Sequence, residues 1–207
     1  LRAQESIEIK TGTKATKVSA RSEGGYLVET EAGERYETKT VIIASGGRHR
    51  HLDVPGEEQF VGKGVVFCST CDAPFFRNKK VAVVGSGNSA LEAVEDLLPY
   101  AGEIVLLVRS GELKGDAVTQ EKILASPKVS VRYHMTTQAI LGEEKVTGMT
   151  LLNTETNETE DIVIDGVFVE IGMVPNTAFV KDLLPLNDRG EIVIAGRPAA
   201  TPVPRLF

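Results

Sequence analysis

Length, composition and charge already restrict what this chain can do. It has 207 residues, and 23 Lys and Arg stand against 29 Asp and Glu, so the formal net charge is −6. An acidic chain without a cluster of basic side chains is not expected to bind nucleic acid. Hydrophobic residues make up 42% of the chain, an ordinary globular composition. No apolar run approaches the roughly 18–20 residues that span a bilayer, so we expect no membrane segment.

The first part of the chain has the alternating pattern of β-strands. Apolar and polar side chains alternate there as they do in strands with one buried face. The segments with this pattern are 5–10, 14–20 and 26–31. Two pairs that contain glycine, Gly24-Gly25 and Ala32-Gly33, predict tight turns in this region.

Thr40–Ala44 is a short apolar run with β-branched residues at its centre. We interpret it as a buried strand that ends at a glycine-rich bend, Ser45-Gly46-Gly47. Residues 47–64 contain a proline, glycines and mixed charges, which is typical of an irregular connector. A domain boundary is therefore expected at about residues 60–78.

From residue 79 onwards the pattern changes to alternating strands and helices. The predicted strands are 80–84, 103–108 and 129–133, and the predicted helices are 88–98 and 117–124. This β-α-β-α-β order predicts an α/β fold with a parallel sheet and helices on its faces. Three further β-type segments predict a meander, at 138–143, 146–155 and 160–172.

A phosphate-binding loop is predicted between the first strand and the first helix of this region. Gly85 allows the tight turn, Gly87 lets the backbone approach a pyrophosphate, and Ala90 is small enough for the helix to pack near the strand. The helix N-terminus adds free N–H groups and a partial positive charge. The candidate cofactor-binding residues are Gly85, Ser86, Gly87, Asn88, Ser89 and Ala90. An ordinary glycine-rich turn is the alternative.

The end of the second strand bears on which dinucleotide is bound. An acid about 20 residues after the first glycine would bind the ribose 2′-hydroxyl of NAD, but none stands at 106–110. Arg109 is there instead, and Lys114 follows in the next loop. Both side chains favour the 2′-phosphate of NADPH, while the nearby Glu112 and Asp116 leave NADH possible.

Cys68 and Cys71 are the two cysteines of the chain, and they form a C-x-x-C motif followed by Asp72. Thiols at this spacing form a labile disulfide that is suited to exchange, with Asp72 as a candidate proton carrier. A zinc site completed by His49 and His51 is one alternative. An inert structural pair is another.

These features together resemble the low-molecular-weight thioredoxin reductases and the flavoprotein subunit of alkyl hydroperoxide reductase. The resemblance rests on C-S-T-C-D at 68–72, followed by V-A-V-V-G-S-G-N-S-A at 81–90. Further segments agree, namely T-V-I-I-A-S-G at 40–46, V-P-G-E at 54–57, G-V-F-V-E-I-G-M-V-P-N-T at 166–177 and the approach to a flavin motif at 190–207. The resemblance covers nearly the whole chain.

The resemblance implies a Rossmann-like, three-layer ββα nucleotide-binding domain with an incomplete flavin-domain portion. The chain has neither the N-terminal G-x-G-x-x-G nor the C-terminal A-A-G-D of the family, and it opens without Met or a signal peptide. We therefore expect the middle of a longer reductase. The expected parts are a partial FAD-binding domain at 1–64, an NAD(P)-binding domain with the C-x-x-C at 65–184, and the start of a second FAD-domain segment at 185–207.

The resemblance also implies roles for single residues. It makes Cys68 the thiol that attacks a partner protein, Cys71 the more shielded thiol that faces the flavin, and Asp72 the acid. It adds a further set of cofactor-binding positions, Ala44, Ser45, Gly46, Ile171 and Gly172.

The implied function is a flavin-dependent disulfide reductase that passes electrons from NADPH, through FAD and the cysteine pair, to thioredoxin or a similar protein. An NADH-dependent alkyl hydroperoxide reductase flavoprotein with a peroxiredoxin-like partner is an alternative, and so is a nucleotide-binding module without redox activity. The family implies a homodimer at full length, and we expect a cytoplasmic location.

Overall fold

The computed structural model describes residues 7–196 and 200–207. The chain separates into two compact units, a flanking unit of Leu1–Arg48 with Met173–Phe207 and a central unit of His49–Gly172. These limits differ from the predicted domain boundaries at 64/65 and 184/185.

The flanking unit is built on a three-stranded antiparallel sheet. Its strands, in the order in which they pair, are β1 (Ala15–Ala20), β2 (Tyr26–Thr30) and β3 (Arg35–Thr38). The two glycine turns form as predicted, and Gly24 N and Gly33 N each close their turn with a backbone hydrogen bond. Side chains of the sheet pack against the second segment of this unit in one buried cluster, Val18, Tyr26, Val180, Leu184 and Leu206.

Two strands predicted for this unit do not form. Residues 7–10 are irregular, and residues 5–6 of the same prediction lie outside the described residues. In the predicted buried strand Thr40–Ala44, Val41 makes only an isolated bridge to Leu206, and the side chain of Ile42 is 77% exposed. The segment bonds on one side to a short stretch near the C-terminus, so it has too few partners to become a sheet strand.

The central unit contains most of the regular structure. It follows β4 (Gly47–His49), and its elements in chain order are β5 (Val65–Val66), α1 (Ser69–Asp72), β6 (Lys80–Val84), α2 (Asn88–Leu97), β7 (Glu103–Leu107), α3 (Ala117–Leu124), β8 (Val129–Arg132), β9 (Met135–Gly142), β10 (Val146–Asn153), β11 (Thr159–Val163) and β12 (Gly166–Val169). Short 3-10 turns lie at Glu58–Phe60 and Ala73–Phe76. A further strand, β13 (Met173–Pro175), belongs to the flanking unit and pairs with β4, and a third 3-10 turn follows at Ala178–Val180.

The parallel sheet has the order β5-β12-β6-β7-β8, and the antiparallel sheet has the order β11-β10-β9. Successive side chains of β6 alternate between two cores. Val81 and Val83 pack with the buried face of α2, whereas Ala82 and Val84 pack with side chains of β9 and β10. Helices, parallel sheet and antiparallel sheet are therefore three layers, which confirms the predicted α/β, Rossmann-like ββα fold.

The main correction in this unit concerns the last segment of the predicted meander, residues 160–172. Residues 160–172 do not form a single β segment, because β11 joins the antiparallel sheet and β12 is inserted between β5 and β6. All four residues of β12 are buried, which is typical of a central parallel strand. Gly166 permits this insertion, since a Cβ there would lie 2.1 Å from the ring of Phe76.

The connector 49–64 packs on the central unit, which explains part of the boundary difference. Phe60 is 2% exposed and belongs to the core between the two sheets. Glu57 is 3% exposed, and its carboxylate accepts hydrogen bonds from Leu52 N at 2.9 Å and Asp53 N at 2.8 Å. Similarly, Val180 and Leu184 pack in the flanking unit, although the sequence predicts that residue 184 belongs to the nucleotide domain.

None of the helices in the described ranges combines the length and apolarity needed to cross a membrane.

We expect Glu57→Ala to lower the free energy of unfolding by about 2 kcal/mol, because two backbone N–H groups lose a charged acceptor. Urea denaturation measures this change. Glu58→Ala is the matched control, since the neighbouring Glu58 is exposed. Equal effects of the two substitutions would show that the buried hydrogen bonds do not stabilise this segment.

Candidate functional site

The predicted phosphate loop lies between β6 and α2, and its geometry depends on one close contact. Gly85 has φ +153°, and a Cβ on it would lie 2.4 Å from Glu170 O and 2.8 Å from Ala90 Cβ. Ala90 itself is fully buried. The turn therefore requires glycine at 85 and a small residue at 90. A Cβ on Gly87 would meet none of the described atoms within 4 Å, so the backbone there is open.

The loop after β7 is tied to the phosphate loop by two hydrogen bonds. Lys114 N donates to Ser86 O at 2.7 Å, and Asp116 N donates to Asn88 Oδ1 at 2.7 Å. Among the residues that the structure describes, no side chain caps the first turn of α2, so the N–H groups of Asn88 and Ser89 have no side-chain acceptor. These contacts explain how Ser86 and Asn88 hold the two loops in register.

A cavity of about 700 Å³ opens at the carboxyl ends of the parallel strands. This edge of an α/β sheet is where ligands usually bind. Eight predicted residues line the cavity, namely Gly85, Ser86, Gly87, Asn88, Ser89, Arg109, Ile171 and Gly172. Ala90 is buried behind the loop, and Lys114 is exposed outside the lining.

The other predicted cofactor residues, Ala44, Ser45 and Gly46, belong to the flanking unit and are exposed there. Asn176 holds this bend, because its side-chain amide donates to Ser45 O at 3.0 Å and its backbone N donates to Gly46 O at 3.0 Å. The bend therefore has an ordered backbone although the run before it is irregular.

Sequence reasoning missed two charged residues of the cavity. Arg50 and Glu170 both line it. Arg50 N donates to Gly172 O at 2.9 Å, which attaches the connector to the segment after β12. A signal exists for Glu170, since it directly precedes the predicted Ile171-Gly172 pair. Arg50 lies in a charged stretch whose composition indicates only a connector.

Cys68 and Cys71 form a disulfide at the N-terminus of α1. The sulfur of Cys68 accepts a hydrogen bond from Cys71 N at 3.3 Å. The residues between the cysteines are held by Asp96, whose Oδ2 accepts from Ser69 Oγ at 2.8 Å and from Thr70 Oγ1 at 3.0 Å. Asp96 lies in the last turn of α2. One helix therefore begins at the phosphate loop and fixes the disulfide loop at its other end.

The relative exposure of the two cysteines is the reverse of the expectation. Cys71 is exposed, whereas Cys68 is half-buried. The reason is local, because Cys68 follows the buried strand β5 and caps α1, while Cys71 lies on the outer turn of that helix. Asp72 is half-buried, and its N–H donates to Cys68 O at 3.1 Å.

The histidines considered for a zinc site have other contacts. The rings of His49 and His51 pack against Phe67, with centroids 5.2 Å and 5.0 Å away. His51 Nδ1 also lies 3.4 Å from Glu57 Oε1. Within residues 7–196 and 200–207 there is no group of three or more metal-ligating side chains.

Glu170, which lies next to the phosphate loop, has a strongly shifted titration. Burial, and then the negative charges of Asp96 and Glu92, raise the pKa of the Glu170 carboxyl to about 7. Its backbone N–H donates to Val84 O, and its carbonyl is the group that Gly85 approaches.

Known proteins match this chain along its whole length. The pyridine nucleotide-disulphide oxidoreductase family matches residues 1–207. The F subunit of alkyl hydroperoxide reductase from Staphylococcus epidermidis is 40% identical over 205 residues, which are 99% of this chain and 40% of that protein. The chain thus spans less than half of that relative.

Solved structures of thioredoxin reductases also match. The enzyme from Streptococcus pyogenes is 34% identical with a TM-score of 0.78, and the match covers 94% of this chain and 63% of that one. The enzyme from Lactococcus lactis is 28% identical with a TM-score of 0.79, covering 94% and 64%.

The raised pKa of Glu170 predicts a pH-dependent stability. An ordinary Glu titrates near 4.5, so the native chain holds this proton more tightly than the unfolded chain between about pH 4.5 and 7. The free energy of unfolding should therefore fall as pH rises through this window, by about 1–2 kcal/mol after allowance for solvent screening.

Glu170→Gln should remove this dependence. The variant should exceed the parent in unfolding free energy at pH 8 and match it near pH 4.5, as urea denaturation would report. Glu144→Gln, in the exposed turn between β9 and β10, is the control. An unchanged difference between Glu170→Gln and the parent across the pH range would contradict the assignment.

Proposed function

Because the chain belongs to the pyridine nucleotide-disulphide oxidoreductase family, we propose that it is part of a flavin-dependent disulfide reductase. In this proposal a reduced pyridine nucleotide gives a hydride to FAD, and electrons then reach the Cys68–Cys71 disulfide and finally the disulfide of a partner protein. The observation that carries the proposal is that α2 joins the two functional loops. It begins at the phosphate loop, and its last turn holds the C-x-x-C loop through Asp96.

The pyridine nucleotide fits the cavity at the phosphate loop. Glycine at 85 and open backbone at Gly87 leave room for a pyrophosphate, and the uncapped start of α2 offers N–H donors. Arg109 lines the cavity, and Lys114 lies on the loop bonded to Ser86. In the described part of the chain neither cation has a carboxylate within ion-pair distance, so both can meet a 2′-phosphate. We therefore favour NADPH over NADH.

The cysteine pair carries the chemistry of disulfide exchange in this proposal. Cys68 attacks the partner, Cys71 takes electrons from the flavin side, and Asp72 exchanges a proton with the pair. The exposure of Cys71 leaves it free to approach a flavin or a partner. FAD would be bound in the full-length protein, with the bend Ala44–Gly46 of the flanking unit among its contacts.

Two partner classes remain, and the relatives support both. Similarity to thioredoxin reductases favours a thioredoxin-like disulfide, while similarity to the F subunit of alkyl hydroperoxide reductase favours a peroxiredoxin-like one. The absence of an acid at the end of β7 favours the NADPH-dependent thioredoxin reductase reaction.

We propose a homodimer at full length, as the family resemblance implies. We also propose a cytoplasmic location, because the disulfides that occur in that compartment are usually transient and catalytic, as a labile C-x-x-C pair is. A nucleotide-binding module without redox activity is less well supported, since it would not use the disulfide.

The choice of nucleotide can be tested on this chain. Arg109→Glu should weaken NADPH binding by about 1–3 kcal/mol and should weaken NADH binding much less, because only NADPH has the 2′-phosphate. Titration calorimetry with each nucleotide measures the two losses. Lys145→Glu, an exposed charge reversal between β9 and β10, is the control. Equal weakening of both nucleotides by Arg109→Glu would refute the role of Arg109.

The reductase activity is tested on the full-length, FAD-loaded protein with a thioredoxin-like and a peroxiredoxin-like disulfide substrate. Cys68→Ser should abolish reduction of both substrates while NADPH-dependent reduction of ferricyanide continues. Asp72→Asn should slow disulfide turnover by about 10²–10⁴-fold. Ser126→Ala, far from the pair in sequence, is the control. Full turnover by Cys68→Ser would exclude the proposed exchange.

A further inference from the structure

Glu170 and Cys68 occupy neighbouring positions at one edge of the parallel sheet. In the β5–β12 pair, Val65 lies opposite Val167 and Val66 lies opposite Phe168. Continuing this register by two residues places Cys68 opposite Glu170. Neighbouring strands are about 4.8 Å apart, so the extended register sets the two residues at adjacent strand ends.

Both side chains belong to the helix face of the sheet. Val66 and Phe168 are in the core on that face, whereas Phe67 and Val169 pack on the opposite core. Because side chains alternate along a strand, Cys68 and Glu170 follow Val66 and Phe168. The electrostatic effect of Asp96 and Glu92, both on α2, on Glu170 independently supports this direction.

Asp96 connects the two groups. It accepts hydrogen bonds from both residues between the cysteines, and its charge acts on Glu170. The charged groups that act on Glu170 are Asp96 and Glu92, both on α2. Arg50, His51 and Arg109 line the same cavity as Glu170. Two carboxylates therefore face Glu170 from the helix α2, and the cations lie in the cavity lining.

We propose that Glu170 is a second proton-exchanging residue of the Cys68/Cys71 pair, serving Cys68. Two electrons break the S–S bond and leave two sulfur anions, each of which takes one proton. The Glu170 carboxylic acid gives its proton to the Cys68 thiolate and becomes a carboxylate, while Asp72 or water protonates Cys71. Re-formation of the disulfide reverses these transfers. The inference rests on the proposed function, which supplies the electrons from reduced flavin.

The environment of Glu170 suits this role. Its pKa of about 7 means that both protonation states are populated near neutral pH. The cavity that it lines gives water a route for restoring the proton. A half-buried acid that is held in an ion pair would instead stay ionised. Glu170 is not held in this way, because none of the ion pairs within the described residues includes it.

The test uses the 207-residue chain with Cys71→Ser, which leaves Cys68 as the single thiol. The rate of alkylation by iodoacetamide is measured from pH 5.5 to 9.5, with and without Glu170→Gln. Ionised Glu170 should disfavour the Cys68 thiolate, so Glu170→Gln should raise the rate at pH 8 by about 3–10-fold and lower the apparent thiol pKa. Below pH 6, where Glu170 is protonated, the two rates should converge.

Glu144→Gln in the same background should leave the profile of the single-thiol chain unchanged. Superimposable profiles with and without Glu170→Gln would overturn the proposal, and so would an equal shift with Glu144→Gln. If Glu170→Gln does not fold by circular dichroism, Glu92→Gln takes its place and should move the inflection near pH 7 to lower pH; no movement then overturns the proposal. The assay needs neither nucleotide nor flavin, so failure of the proposed reductase activity would be seen separately.

Discussion

The contact between Gly85 and the carbonyl of Glu170 is the constraint on which the central unit depends. It lets the turn after β6 lie directly against the end of β12. The start of α2 is fixed by this contact, and the far end of α2 then holds the C-x-x-C loop through Asp96. A glycine in the nucleotide loop thus also determines where the disulfide lies relative to the sheet.

The sequence predicted the helices and strands whose apolar side chains repeat with the period of a helix or a strand, because one or both of their faces are buried. β6 and α3 have the predicted limits, and α2, β7 and β8 end one residue earlier than expected. These segments alternate or repeat because each presents one face, or two buried faces, to a layered core. The pattern of side chains is therefore enough to locate them.

The elements and residues that the sequence did not predict correctly share a different cause. Their structure depends on contacts with residues that are distant in the chain. Thr40–Ala44 is as apolar as a buried strand, but the residues that bond to it are too few. β12 continues an apparent meander, yet its neighbours are β5 and β6. Glu170 and Arg50 were missed for the same reason, since the cavity brings together segments that the chain separates. The phosphate loop could be predicted from the sequence, because its glycines determine the backbone of a single turn and need no residues distant in the chain.

The position of β12 also has a consequence for how the chain folds. It is the last strand of the parallel sheet in sequence, and it pairs with β5 about 100 residues away. Until it inserts, β5 lacks its neighbour in that sheet, and such long-range pairing is slow to form. During synthesis the disulfide loop therefore emerges well before the strand that completes the sheet beside β5. Slow insertion would leave the facing edges of β5 and β6 unpaired for longer, and unpaired strand edges are prone to aggregation.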